Sequence, residues 1–177
     1  TPPAPAVNTT EQSGLLPNLT FENLVLGSAN QLAFAAASQV ATNPGTQYNP
    51  LFIYGGVGLG KTHLMHAIGH RFLETHPNAR VRCVSAQQYL SEYTTAMRKL
   101  NAHDEQALQR FEMRYQDLDL LLIDDIQSFA NRDGTQTNFF LAFERMVPRG
   151  KQIVLTSDTY PRNLKDFQER LLSRLTQ

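Results

Sequence analysis

The sequence predicts an α/β fold, three layers with helices on both faces of a parallel sheet, and three stretches carry that prediction. Leu51-Phe52-Ile53-Tyr54 is a short apolar run of strand type. It enters the glycine-rich loop Gly55-Gly56-Val57-Gly58-Leu59-Gly60-Lys61-Thr62, after which Leu64, Ala67, Ile68 and Phe72 recur at helical spacing. Leu118-Asp119-Leu120-Leu121-Leu122-Ile123 is apolar on both faces, as a central parallel strand requires, and ends in the paired acids Asp124 and Asp125. Gln152-Ile153-Val154-Leu155 is a further run of this kind, tipped by Thr156, Ser157 and Asp158. Strands that alternate with helices along the chain build a parallel sheet.

The glycine loop satisfies the pattern G-x-x-x-x-G-K-[ST] between a strand and a helix, the mark of a phosphate-loop NTPase. Gly56, Gly58 and Gly60 let the backbone curl so that successive N–H groups face phosphate oxygens at the positive end of the following helix dipole. Lys61 is placed to neutralise the β and γ phosphates of ATP or ADP, and Thr62 offers Mg²⁺ a hydroxyl. The acid pair reads as a Walker B end: Asp124 for the metal shell, Asp125 to orient or activate the attacking water. Asp158, at the tip of the last strand, is the candidate contact to the γ-phosphate or that water, although Thr-Ser-Asp by itself is also an ordinary strand exit or helix cap. The order glycine loop, acid pair, polar-tipped strand is that of ATPases that insert an extra strand between the first and third.

The remaining elements are placed by periodicity: helices over 28–42, 87–100, 104–115 and 135–147, and a strand over 81–85. Residues 1–17 are Pro-, Ala- and Thr-rich and read as a flexible linker, with the nucleotide-binding domain over 18–177. Sixteen basic residues balance sixteen acidic ones, so the chain lacks the basic footprint of a dedicated duplex-DNA binder. No apolar run reaches membrane-spanning length and no signal core opens the chain, which predicts a cytoplasmic protein. The single cysteine, Cys83, lies in a strand pattern and reads as a packed thiol. His63, His66 and His70 fall at i, i+3 and i+7 on one helix, but the helix already has a phosphate to bind and no acidic or cysteine partner is expected beside them, so a zinc site is rejected.

These motifs resemble the nucleotide-binding domain of the DnaA family of bacterial chromosomal replication initiators, among the AAA+ ATPases. The resemblance covers roughly residues 18–177 and is carried by 19–30 (Leu19-Thr20-Phe21-Glu22-Asn23-Leu24-Val25-Leu26-Gly27 onward), by 49–69 around the glycine loop, by Leu121-Leu122-Ile123-Asp124-Asp125-Ile126-Gln127 and by 152–161, ending Thr156-Ser157-Asp158-Thr159-Tyr160-Pro161. It implies that Val25, Leu26 and Gly27 wrap adenine through main-chain contacts. It also implies that Arg174, with Arg170 as second candidate, is an arginine finger reaching a neighbouring subunit's ATP. A weak, Mg²⁺-dependent ATPase is implied, acting as a switch: the ATP-bound form associates head to tail into a filament, and the helical insertion after the second strand lines a channel for single-stranded DNA. In the family a last core strand, a helical lid and a helix-turn-helix module for duplex DNA follow the arginine motif. The chain looks cut from a longer protein, its AAA+ core truncated before that strand and lid.

The sequence departs from the family where single-stranded DNA is concerned. The insertion around Asn101-Ala102-His103-Asp104-Glu105-Gln106 carries acids, Gly134 stands where initiators commonly place a basic residue, and Thr94 replaces an expected apolar contact. Arg98, Lys99 and Arg132 are weak substitutes. The alternative reading is a helicase-loader or regulatory paralogue that binds nucleotide and a protein partner, such as a replicative helicase, without melting DNA. A small-molecule kinase is disfavoured by the lack of an acceptor site, and a GTPase by the lack of an Asn-Lys-x-Asp motif.

Overall fold

The computed structural model describes residues 13–24, 31–45, 48–56 and 60–176. In chain order these form α1 (Gln31–Thr42), β1 (Leu51–Tyr54), α2 (Lys61–Thr75), β2 (Val81–Ser85), α3 (Ala86–Asn101), α4 (Ala107–Gln116), β3 (Leu120–Asp124), α5 (Asp133–Met146), β4 (Gln152–Ser157) and α6 (Glu169–Leu175), with a 3-10 turn at Ile126–Phe129. The four strands are all parallel, in the order β1-β4-β3-β2, so β4 is inserted between β1 and β3 as expected.

β3 shows why the sheet is covered on both faces. Successive side chains of a strand point to opposite sides. Leu120 and Leu122 join Leu64, Ile68 and Phe72 of α2 and Val40 of α1 in one cluster, while Leu121 and Ile123 join Tyr89, Phe111, Phe139 and Leu171 in the other. All four β3 residues are fully buried, each contributing roughly 1.5–3 kcal/mol of apolar transfer free energy. The second cluster is aromatic: Tyr89 meets the rings of Phe111 at 5.2 Å and Tyr115 at 4.6 Å, and its hydroxyl donates to Asn138 Oδ1 at 2.7 Å.

Local chemistry sets the element ends. Ser85 caps α3, its side chain accepting the Gln88 N–H at 3.0 Å. The helix expected from 104 starts at Ala107: Asp104 stays outside it, accepts the Ala107 N–H at 3.1 Å through its carbonyl and pairs with Arg110 at 2.5 Å through its carboxylate. β3 starts at Leu120 because the Asp119 carboxylate turns aside to accept from the Arg80 N–H at 2.8 Å and Lys151 Nζ at 2.9 Å.

Residues 13–24 form a strap across α2 and β2. Leu15 is 4% exposed and seated so closely on α2 that a Cβ at Gly69 would lie 2.6 Å from its Cδ2. Gly14 takes φ +84°, and a side chain there would meet the Cys83 carbonyl at 2.4 Å. Of the linker expected over 1–17, residues 1–12 lie outside the described residues, while Ser13 and Leu15 are buried, the leucine in a glycine-lined seat that composition does not reveal.

Candidate nucleotide site

Parallel strands bring their carboxyl ends to one edge, the place where open α/β sheets receive ligands. Here the edge gathers Gly55 after β1, Asp124 at the end of β3 and Thr156 near the end of β4. The register aligns Ile123 with Leu155, which sets Thr156 beside Asp124.

One buried hydroxyl organises the acid pair. Thr156 Oγ1 donates to Asp124 Oδ1 and accepts the Asp125 backbone N–H at 2.8 Å, while Thr62 Oγ1 donates to Asp124 Oδ2 at 2.8 Å. Both oxygens of Asp124 are thereby held, and the candidate metal-binding residues of the loop helix and of β3 are in direct contact. Asp125 sits in the left-handed region, φ 60° and ψ 56°, which Asp tolerates better than most residues and which turns the chain abruptly out of the sheet. Its carboxylate is exposed, and Oδ1 accepts from Gln127 Nε2 at 3.4 Å. The same Gln127 amide accepts the Asp158 N–H at 3.3 Å, joining the acid pair to the tip of β4.

Lys61 opens α2 and lies along the loop, its Nζ donating to the Gly55 carbonyl and, at 3.5 Å, to that of Gly56. Gly60, just before it, takes φ 75° and provides no side-chain cap. Gly58, like Val25, Leu26 and Gly27, lies outside the described residues; Leu24 of the strap rests beside Gly60, where an added Cβ would lie 3.6 Å from its Cδ1. Asp158 is exposed.

The two arginines are held elsewhere. Arg174 pairs with Glu144 of α5 at 2.5 Å, and Arg170 donates to Thr137 Oγ1 at 3.2 Å while lying 4.8 Å over the Phe140 ring. Among the described residues no hydrogen bond or ion pair joins either of them to Lys61, Asp124 or Asp125.

Sequence reasoning marked the polar tip of β4 but passed over Thr156 and Gln127 as the groups that touch the acids. The signal available was the β4 insertion itself, which requires some β4 side chain to abut the end of β3. Thr156→Val tests the arrangement: valine keeps the β-branched shape but orphans the Asp125 N–H and one Asp124 oxygen, for an expected loss of roughly 1–3 kcal/mol, several degrees of Tm, in thermal melts. Thr156→Ser, which retains the hydroxyl, is expected to recover most of it.

The oxygen donors present suit a hard divalent cation. A threonine hydroxyl and an aspartate carboxylate in contact are ligands Mg²⁺ accepts while keeping several waters.

Comparison with known proteins agrees with this geometry. The family described as Bacterial DnaA ATPase domain matches residues 15–177. The chromosomal replication initiator protein DnaA of Bordetella pertussis is 54% identical over 98% of this chain, which spans 37% of that protein's length. Domain III of the Thermotoga maritima replication initiation protein DnaA superposes with a TM-score of 0.84 at 44% identity, covering 91% of this chain and 65% of that one. A replication initiator DnaA bound to AMPPCP and single-stranded DNA superposes with a TM-score of 0.83 at 36% identity, covering 92% of this chain and 48% of that one. Among the described residues no helix is long and apolar enough to cross a membrane. With a phosphate-loop strand and helix, an acid pair held from β4 and a family match over nearly its whole length, the chain belongs to the bacterial DnaA ATPase-domain family.

Proposed function

We propose that this chain is the ATP-switched module of a cytoplasmic replication initiator, binding ATP or ADP with Mg²⁺, hydrolysing ATP slowly and assembling head to tail on single-stranded DNA. The observation that carries the reading is the contact of Thr62 and Thr156 with the two oxygens of Asp124, which is built for a metal at the mouth of the glycine loop. Thr62 and Asp124 would hold Mg²⁺, which would supply charge neutralisation at the phosphates. Lys61 leaves the loop carbonyls for the phosphate oxygens. Gly56, Gly58 and Gly60 present main-chain N–H groups, and Val25, Leu26 and Gly27 enclose the adenine. Asp125, steadied by Gln127, orients the attacking water and takes its proton, with Asp158 beside it at the tip of β4. The DNA relation is supported by the solved relative that holds AMPPCP and single-stranded DNA.

Arg174 acts in trans. Its guanidinium, partly exposed, pairs with Glu144 within this copy and would exchange that partner for a neighbour's phosphates on assembly. Arg174→Ala is expected to leave monomer affinity for nucleotide unchanged and to remove ATP-dependent assembly, read by light scattering or sedimentation; unchanged assembly counts against the finger.

The reading is tested by binding of fluorescent single-stranded DNA in the presence of a non-hydrolysable ATP analogue, with Lys61→Ala as control. Saturable, salt-sensitive binding that needs both analogue and Lys61 supports an initiator. The second reading is the loader or regulatory paralogue, which rests on Gly134 standing where other initiators place a basic residue, beside the Tyr93 hydroxyl. Intact nucleotide affinity without DNA binding selects that paralogue.

A further inference from the structure

Three histidines on the outer face of α2 hold the strap by three different hydrogen bonds. His63 Nε2 lies 2.7 Å from the Thr20 carbonyl oxygen and His70 Nε2 lies 2.8 Å from that of Leu16. A carbonyl oxygen only accepts, so both rings donate there, as a neutral or a charged imidazole can. His66 differs. Its Nδ1 accepts the Leu16 N–H at 3.1 Å, which a ring protonated at that nitrogen cannot do. Leu24, in the segment so held, abuts Gly60 at the entrance to the phosphate-loop helix.

We propose that His66 is a positioning residue for nucleotide binding: through Leu16 it latches residues 13–24 to the phosphate-loop helix, fixes Leu24 beside Gly60, and releases the strap when its ring takes up a proton. The inference rests on the nucleotide reading above.

The surroundings of His66 set the direction of the switch. It is 6% exposed, with Cys83 Sγ of β2 3.7 Å from Nε2, His63 and His70 on its own helix, and the Asp124 carboxylate of β3 acting on it through space. α1, which packs on α2, carries no titratable side chain. Burial is the largest influence and lowers the ring's pKa; Asp124 opposes it, and the two neighbouring histidines add to it. A histidine held below its unfolded value of about 6.5 keeps its stabilising contact above that pH and loses it as pH falls through the folded pKa, so the latch is closed at neutral pH and opens on acidification.

The experiment follows the Leu16 amide and the nucleotide separately, between about pH 7.5 and 4.5, from above the ordinary histidine value to well below it, because burial lowers that of His66. In the wild-type chain without nucleotide, the exchange protection factor of the Leu16 amide is expected to fall about tenfold as His66 protonates, the equivalent of one hydrogen bond. His66→Asn keeps an acceptor near the Nδ1 position and does not titrate, so its protection should stay level, while His66→Leu should be unprotected throughout. Affinity for a fluorescent ADP is then compared across the same range. The nucleotide's own phosphate titrates nearby, so the quantity read is the wild-type to His66→Asn ratio, which is expected to change about tenfold with pH. Equal Leu16 protection at both ends of the range in wild type overturns the latch. Protection that falls while the affinity ratio stays flat overturns the positioning role. Absence of nucleotide binding by wild type at any pH overturns the nucleotide reading itself, and the positioning role with it, and is told apart from latch failure by the Leu16 amide.

Discussion

Lys61→Ala is expected to weaken nucleotide affinity by two to three orders of magnitude or more, enough to leave no measurable binding at micromolar ligand. Removing one partner of a desolvated charge pair costs about 2–5 kcal/mol, because the phosphate charge is left facing a loop whose remaining donors are neutral N–H groups. The fold should survive the change. Lys61 is a half-exposed residue whose contacts in the structure are to the Gly55 and Gly56 carbonyls, both able to turn to solvent, so the melting temperature without nucleotide is expected to stay close to wild type. Titration of a fluorescent ATP analogue against the variant checks the first expectation and a thermal melt the second.

Asp125→Asn is expected to keep that affinity and to slow hydrolysis by about 10²–10⁴-fold, the range that a positioned general base contributes. Asparagine is the informative replacement. It tolerates the left-handed backbone at φ 60°, keeps an oxygen for the Gln127 amide and leaves the N–H that Thr156 accepts, so the shape stays while the charge and the capacity to take a proton are removed. Single-turnover hydrolysis with saturating enzyme separates the chemical step from binding. Should Asp125→Asn lose affinity as severely as Lys61→Ala, the division of labour between loop and acid pair is wrong.

Most of the fold was legible in the chain because its strands are buried on both faces. Leu120 to Ile123 have no polar member to suggest an edge, and the helix positions follow from periodicity and from cues such as Ser85 ahead of α3. Of the candidate site, Lys61 and Thr62 were marked by a local motif of fixed spacing and Asp124 by the end of an apolar strand, and the fold brings Thr62 and Asp124 into contact. What stayed hidden depends on contacts distant in sequence. Thr156 meets Asp124 across a strand pairing, Leu15 finds its seat at Gly69, and His66 finds its acceptor role from Leu16, fifty positions away. Spacing alone left the three histidines open to a metal reading; the strap laid across them gives each ring a backbone partner, and the fold brings Cys83 of β2 beside His66, a thiol neighbour that the sequence did not lead one to expect. Arg174 is a different case: its ion pair with Glu144 describes one copy of the chain, and a role in trans is not encoded in the contacts of a single copy.

The bare start of α2 has a consequence for how the domain withstands heat. Gly60 at its N-cap makes no side-chain bond, and the first turn holds no acid to face the helix dipole, so the orphan N–H groups there have no local partner of the kind Ser85 gives α3. Under the nucleotide reading the ligand's phosphates are that partner, and part of the free energy holding α2 against the sheet comes from solution. Ligand at a hundred times its Kd adds about 2.7 kcal/mol, so the melting temperature becomes a gauge of ambient nucleotide, and the helix that covers one face of the core is firmest when the cell is well charged.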